Sequence, residues 1–128
     1  MAKLFFHILN ILFFIVYLYP GSILGLLLYG NVSKQPQLTK DFIFSFSEIS
    51  SNHIYAFSMI SILGLFAFKS KKKLILYLIF LSVVLELFHL VIPNRSFQTG
   101  DLNGNFLGVI IPFLIYKFYE ILFQTKKK

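Results

Sequence analysis

The residues of this chain that can do chemistry are few, and most crowd one stretch. Glu86 is followed three residues later by His89, then by Pro93-Asn94-Arg95, five further residues, and Asp101 with Asn105 four residues on. Positions i and i+3 of a helix share a face, as do i and i+4, so Glu86 pairs with His89 and Asp101 with Asn105. A carboxylate beside an imidazole can transfer protons or bind a metal ion. Arg95 is the only arginine, beside eleven lysines. A planar guanidinium used once points to bidentate recognition of a carboxylate or phosphate. His53 lies upstream. Glu86, His89, Asp101 and His53 are the catalytic candidates; Arg95, Asn105, Asp101 and Glu86 are the ligand-binding ones. The sequence names neither a metal nor a cofactor.

The elements that position these residues are set by an unusually apolar chain. At 128 residues there is room for one domain, residues 1–128. Apolar residues are 57%, charged residues 13%, and mean hydropathy is +0.77, whereas a soluble globular chain carries about 25% charged residues. This excludes an ordinary cytosolic enzyme, a disordered tail and a nucleic-acid-binding module, and predicts an integral membrane protein in contact with lipid. With no cysteine, disulfides, thiolate zinc sites and cysteine nucleophiles are excluded. With no tryptophan, tyrosine must supply interfacial anchors, and Tyr17, Tyr19 and Tyr55 are assigned to that belt at the outer side.

A bilayer core about 30 Å thick needs roughly 20 helical residues. The sequence predicts an all-α membrane protein with four transmembrane helices, over residues 4–20 (or 4–29), 51–68, 74–92 and 102–123. Span one is kept rather than read as a cleaved signal, since no A-x-A-like site follows it. Pro20-Gly21 should kink or end it, and the fate of residues 22–50 stays open, apart from an extended segment over Asp41–Glu48 in which Phe42, Phe44 and Phe46 alternate. Lys3, the cluster Lys69, Lys71, Lys72 and Lys73, and Lys126, Lys127 and Lys128 place both termini in the cytoplasm by the positive-inside rule. Glu86, His89, Arg95, Asp101, Asn105 and His53 then fall at the outer face, although the lysines alone fixed the orientation.

Gly100, Gly104 and Gly108, spaced by four, allow close backbone approach and should pack the start of span four against another span, while Pro112 should kink it below. Each site residue also has a plainer use. Asp101 can cap a helix, Glu86 and Arg95 can pair structurally across the turn, and His53 can be merely interfacial. His7 and Asn10 read as interfacial or interhelical hydrogen-bonders, and Lys117 with Glu120 as a solvated pair.

The string Glu86-x-x-His89-x-x-x-Pro93-x-Arg95, five residues, Asp101-x-x-x-Asn105-x-x-Gly108 resembles the VanZ-like membrane protein family, over roughly residues 48–112. His53, opening a span and followed by Tyr55 and Phe57, adds a weaker match. His89 stands where that family usually has Gln. Ile49 and Ser50 replace its usual acidic–Lys pair before the histidine, with Glu48 one residue off. The resemblance implies a multipass protein of the bacterial cytoplasmic membrane, and the family is named for a member associated with teicoplanin resistance.

The leading expectation is an outward-facing polar pocket that recognises or processes a cell-envelope molecule, such as an envelope lipid, a glycan precursor or a glycopeptide. Arg95 would grip its carboxylate or phosphate, Glu86 would act as buried acid or base, and Asp101 and Asn105 would orient ligand or water. A second expectation is a membrane-embedded, metal-assisted enzyme using Glu86, His89, Asp101 and His53. A third is a polar clasp in a protein that works by partner binding. An oligomer is compatible with each.

Overall fold

A computed structural model describes residues 1–44 and 47–124. In chain order the elements are α1 (Ala2–Leu18), α2 (Ile23–Tyr29), β1 (Phe42–Phe44), β2 (Ser47–Ile49), α3 (Ser51–Ala67), α4 (Lys71–Phe88) and α5 (Thr99–Gln124). Apart from one antiparallel hairpin, with Phe42 opposite Ile49 and Ile43 opposite Glu48, the regular structure is helical. The extended reading of residues 41–48 holds for the two strands, while Phe46 lies outside the described residues, as do Lys126, Lys127 and Lys128.

Local chemistry sets the breaks. Pro20 disfavours helical backbone in the residue before it, and Tyr19 is extended (φ −67°, ψ 132°). Gly21 then takes φ 81°, a left-handed value that glycine reaches without steric cost. Ser22 restarts the helix, its side chain accepting from the Gly25 N–H at 3.0 Å, and Gly30 ends α2 in the left-handed conformation. α1 and α2 meet at an 81° bend. Beyond α4 the chain turns through Asn94 at φ 59°, tolerated by Asn more readily than by most residues.

α3 and α5 form the most extensive pairing, with α1 and α4 against them. The glycine stripe makes it possible. A Cβ at Gly104 would sit 2.5 Å from the Ser50 carbonyl oxygen, and one at Gly108 would sit 2.6 Å from that of Ile54. The expected close approach of the start of the last helix is therefore met, with α3 as its partner. Phe57, Ile60, Leu78, Leu85 and Val109 are sealed in the core. At one end of the bundle Lys71 Nζ donates to the Leu65 and Phe68 carbonyls at the C-terminus of α3 and lies 5.2 Å from the centre of the Tyr116 ring. Asp101 lies fifteen residues earlier in α5, about 22 Å along the axis, so the lysine cluster and the candidate site occupy opposite ends.

The expectation of four transmembrane helices is overturned. Among the described residues only Thr99–Phe123 is long and apolar enough to cross a membrane; α1 and α2 would supply a second span only if counted together across their bend. α3 stops at 17 residues, about 25 Å. α4 has 18 residues but carries Lys71, Lys72, Lys73 and Glu86, and it ends at Phe88 rather than at residue 92. The placement of both termini in the cytoplasm, read from the lysines and compatible with four spans, belongs to that arrangement and falls with it. Pro20 and the lysine run are visible in the sequence, but an apolar run shows neither that Lys71, Lys72 and Lys73 open α4 from within nor that the helix stops at Phe88.

Candidate functional site

At the end of the bundle away from the lysines, polar side chains from α1, α3, α4 and α5 meet in an interior that is otherwise apolar. Glu86 sits on the last turn of α4 and is fully buried. Its Oε1 accepts the Gln98 N–H at 2.8 Å, which ties the α4–α5 connection to the carboxylate. Its Oε2 lies 3.4 Å from His89 Nδ1 but is among the buried atoms with no aligned hydrogen bond. His89 Nε2 donates to the Tyr17 carbonyl at 3.0 Å.

His53, on the first turn of α3, is also buried. Its Nδ1 is 2.9 Å from Asn105 Oδ1 and its Nε2 3.5 Å from Asp101 Oδ2. Asn105 is fully buried one turn after Asp101 on α5, and the pair brackets the His53 ring as the i, i+4 spacing requires. Asn105 Nδ2 has no partner among the described residues. The glycine stripe is what lets the two helices close to this distance, since a side chain at Gly104 would meet His53 Cβ at 2.9 Å.

Tyr17 joins the two halves. It is buried on α1, its hydroxyl 3.3 Å from both His53 Nδ1 and Asn105 Oδ1. Its ring is nearly parallel to that of His89 (12°, 6.3 Å between centroids) and edge-on to His53 at 5.2 Å. Sequence reasoning assigned Tyr17 to the interfacial belt and so missed it. The signal available was its level, near the outer end of the first helix where the other site residues were placed.

Arg95 does not pair with Glu86. Its Nε donates to the Tyr19 carbonyl and its Nη2 to that of Val16, both at 3.3 Å. With His89 on Tyr17, the loop after α4 thus satisfies three carbonyls that the end of α1 leaves without helical partners. Positive charge is also favourable at that negative end of the helix dipole. Burial lowers the Arg95 pKa from its usual value, against the pull of the Asp101 carboxylate, and a guanidinium remains charged at neutral pH. Two of its five N–H groups are engaged among the described residues.

Two cavities flank the cluster. One of about 390 Å³ lies between α1, α2 and α3, walled by Val16, Leu24, Leu28, Ala56 and Met59, with Tyr17, His53 and Arg95 on its lining. The other, about 410 Å³, is polar, and Asp101, Asp41, Glu48 and Gln98 line it. The His53–Asp101 pair lies between an apolar space and a polar one.

The structure therefore brings together His53, Glu86, His89, Asp101 and Asn105, with Arg95 beside them on its own backbone contacts. The plainer expectations at the far end also hold: Asn10 donates to the Tyr77 hydroxyl at 2.5 Å, and Lys117 reaches Glu120 at 3.1 Å. No family model, no curated protein and no solved structure matches the chain.

Proposed function

We propose that this chain is a membrane-resident protein of the VanZ-like kind whose polar cluster receives an anionic amphiphile of the cell envelope. Its phosphate or carboxylate would meet Arg95 and its hydrocarbon would occupy the α1–α2–α3 cavity. The observation that carries the reading is the lining of that cavity, an apolar wall with the free edge of a guanidinium and an imidazole at one side. Pockets that orient a ligand combine apolar walls with a few placed polar groups in this way.

Lipid contact is supported by the outer faces of the helices. Phe66, Phe80, Leu114, Ile115 and Phe118 are all more than 60% exposed, an apolar surface far more continuous than a water-facing monomer carries. In this reading α5 crosses the bilayer, and the lysines that follow it in sequence would favour the cytoplasmic side, leaving the Asp101 end facing out. A link to glycopeptide resistance rests on the resemblance alone.

The test is thermal stability in detergent with added phosphatidylglycerol or phosphatidylcholine. Phosphatidylglycerol should raise the Tm of the wild type and phosphatidylcholine should not. Met59→Trp, which fills the cavity wall, should abolish the shift while leaving the unliganded Tm within a few degrees. Equal shifts from both lipids, or an undiminished shift in Met59→Trp, would remove the reading.

A further inference from the structure

We propose that His53, Glu86 and Asp101 form a binding site for a divalent transition-metal cation of the zinc or manganese class. One ring nitrogen of His53 and one carboxylate oxygen from each of Glu86 and Asp101 lie within 4.8 Å of one another. They come from three helices, so the juxtaposition is made by the tertiary fold and not by a run of acidic residues. His53 Nε2 and Asp101 Oδ2 are 3.5 Å apart. Two ligands held tetrahedrally at about 2.1 Å from one ion are separated by about 3.4 Å.

The hydrogen-bond inventory of the cluster leaves a place for a cation. His53 Nδ1 faces Asn105 Oδ1 at 2.9 Å, so a neutral ring that donates there presents its Nε2 lone pair to the Asp101 carboxylate. His89 Nε2 faces the Tyr17 carbonyl, which can only accept, so a neutral His89 presents its Nδ1 lone pair to Glu86. Glu86 Oε2 is sealed from solvent and takes no aligned hydrogen bond among the described residues. With both rings neutral, acceptors meet acceptors in a buried space, an arrangement that is costly unless a proton on the ring or a metal cation lies between them.

The donor set also has the outer support that metal sites show. A metal-bound histidine commonly donates its second N–H to an oxygen that fixes the ring, and Asn105 Oδ1 is placed to accept from His53. One imidazole and two carboxylates suit zinc or manganese and not a soft ion, and three protein ligands leave a position open. This site shares His53 with the lining of the apolar cavity but draws no ligand from the cavity's apolar wall or from Arg95, so metal uptake is measured apart from amphiphile binding.

The experiment uses full-length protein in detergent, stripped with chelator and titrated with Zn²⁺ or Mn²⁺ alone, with bound metal counted by mass spectrometry and Tm followed in parallel. Wild type should take up about one ion per chain and gain stability. Glu86→Gln and Asp101→Asn should each lower affinity at least about tenfold. Asn105→Ala, with all three ligands present, should weaken it about 10–100-fold, and the remote His7→Gln should bind like wild type. If Glu86→Gln fails to fold, the part-exposed Asp101→Asn decides. Absence of binding to folded wild type, or unchanged binding in Asp101→Asn, would overturn the proposal. The Asn105 amide would then be turned to donate to His53, leaving His53 and Asp101 as an ordinary ion pair.

Discussion

At the residue scale the pairings are not those that spacing alone suggests. Glu86 and Arg95 are close in sequence and opposite in charge, yet Arg95 reaches the carbonyls of Val16 and Tyr19, while Glu86 is held by the Gln98 N–H and stands beside His89. A double-mutant cycle should therefore give a larger coupling for Glu86→Gln with His89→Gln than for Glu86→Gln with Arg95→Gln, the latter below about 0.5 kcal/mol. A rescue of Glu86→Gln by Arg95→Gln would restore the simple ion pair. Arg95→Gln alone should cost about 1–2 kcal/mol through the lost α1 contacts, read by chemical or thermal unfolding. The convergence of His53, Glu86, Asp101 and Asn105 was legible in the sequence, because helical spacing and the position of each residue in its apolar run carry that information. The roles of Arg95 and Tyr17 were not, since one binds backbone oxygens, which no motif encodes, and the other looks like any belt tyrosine until α1 is docked.

At the element scale the α3–α5 contact does most to assemble the site. A branched side chain at Gly104 has nowhere to go, with the Ser50 carbonyl and His53 Cβ both inside contact distance of a Cβ. Gly104→Leu should lower stability by about 3 kcal/mol or more and separate His53 from Asn105, seen as a lower Tm and as loss of any metal binding. Gly64→Leu should be milder, because the atoms a Cβ would meet there are the ends of the Leu74 and Phe6 side chains, which can move. Equal Tm values for Gly104→Leu and wild type would remove the argument. The glycine stripe was readable from its spacing, although its partner was not. The ends of the first three spans were set beyond where the helices stop, while α5 is longer than expected, since an all-round apolar run carries no periodicity to mark its ends. α1 stops at Leu18 and α4 at Phe88, for reasons that lie in Pro20 and in the turn leading to Asn94.

At the scale of the whole molecule, an apolar exterior encloses a polar end between two cavities, and among the described residues only α5 is both long and apolar enough to cross a bilayer by itself. Expressed protein should stay with the membrane pellet after alkaline carbonate extraction, and recovery in the supernatant would contradict membrane residence. The central claim is that the polar end receives an anionic amphiphile and is not merely a clasp holding helices together. Native mass spectrometry of detergent-released protein tests it most directly. The wild type should retain an anionic lipid that is lost from Arg95→Gln while that variant remains folded. An unadorned wild type, or the same adduct at the same occupancy on both proteins, would contradict it.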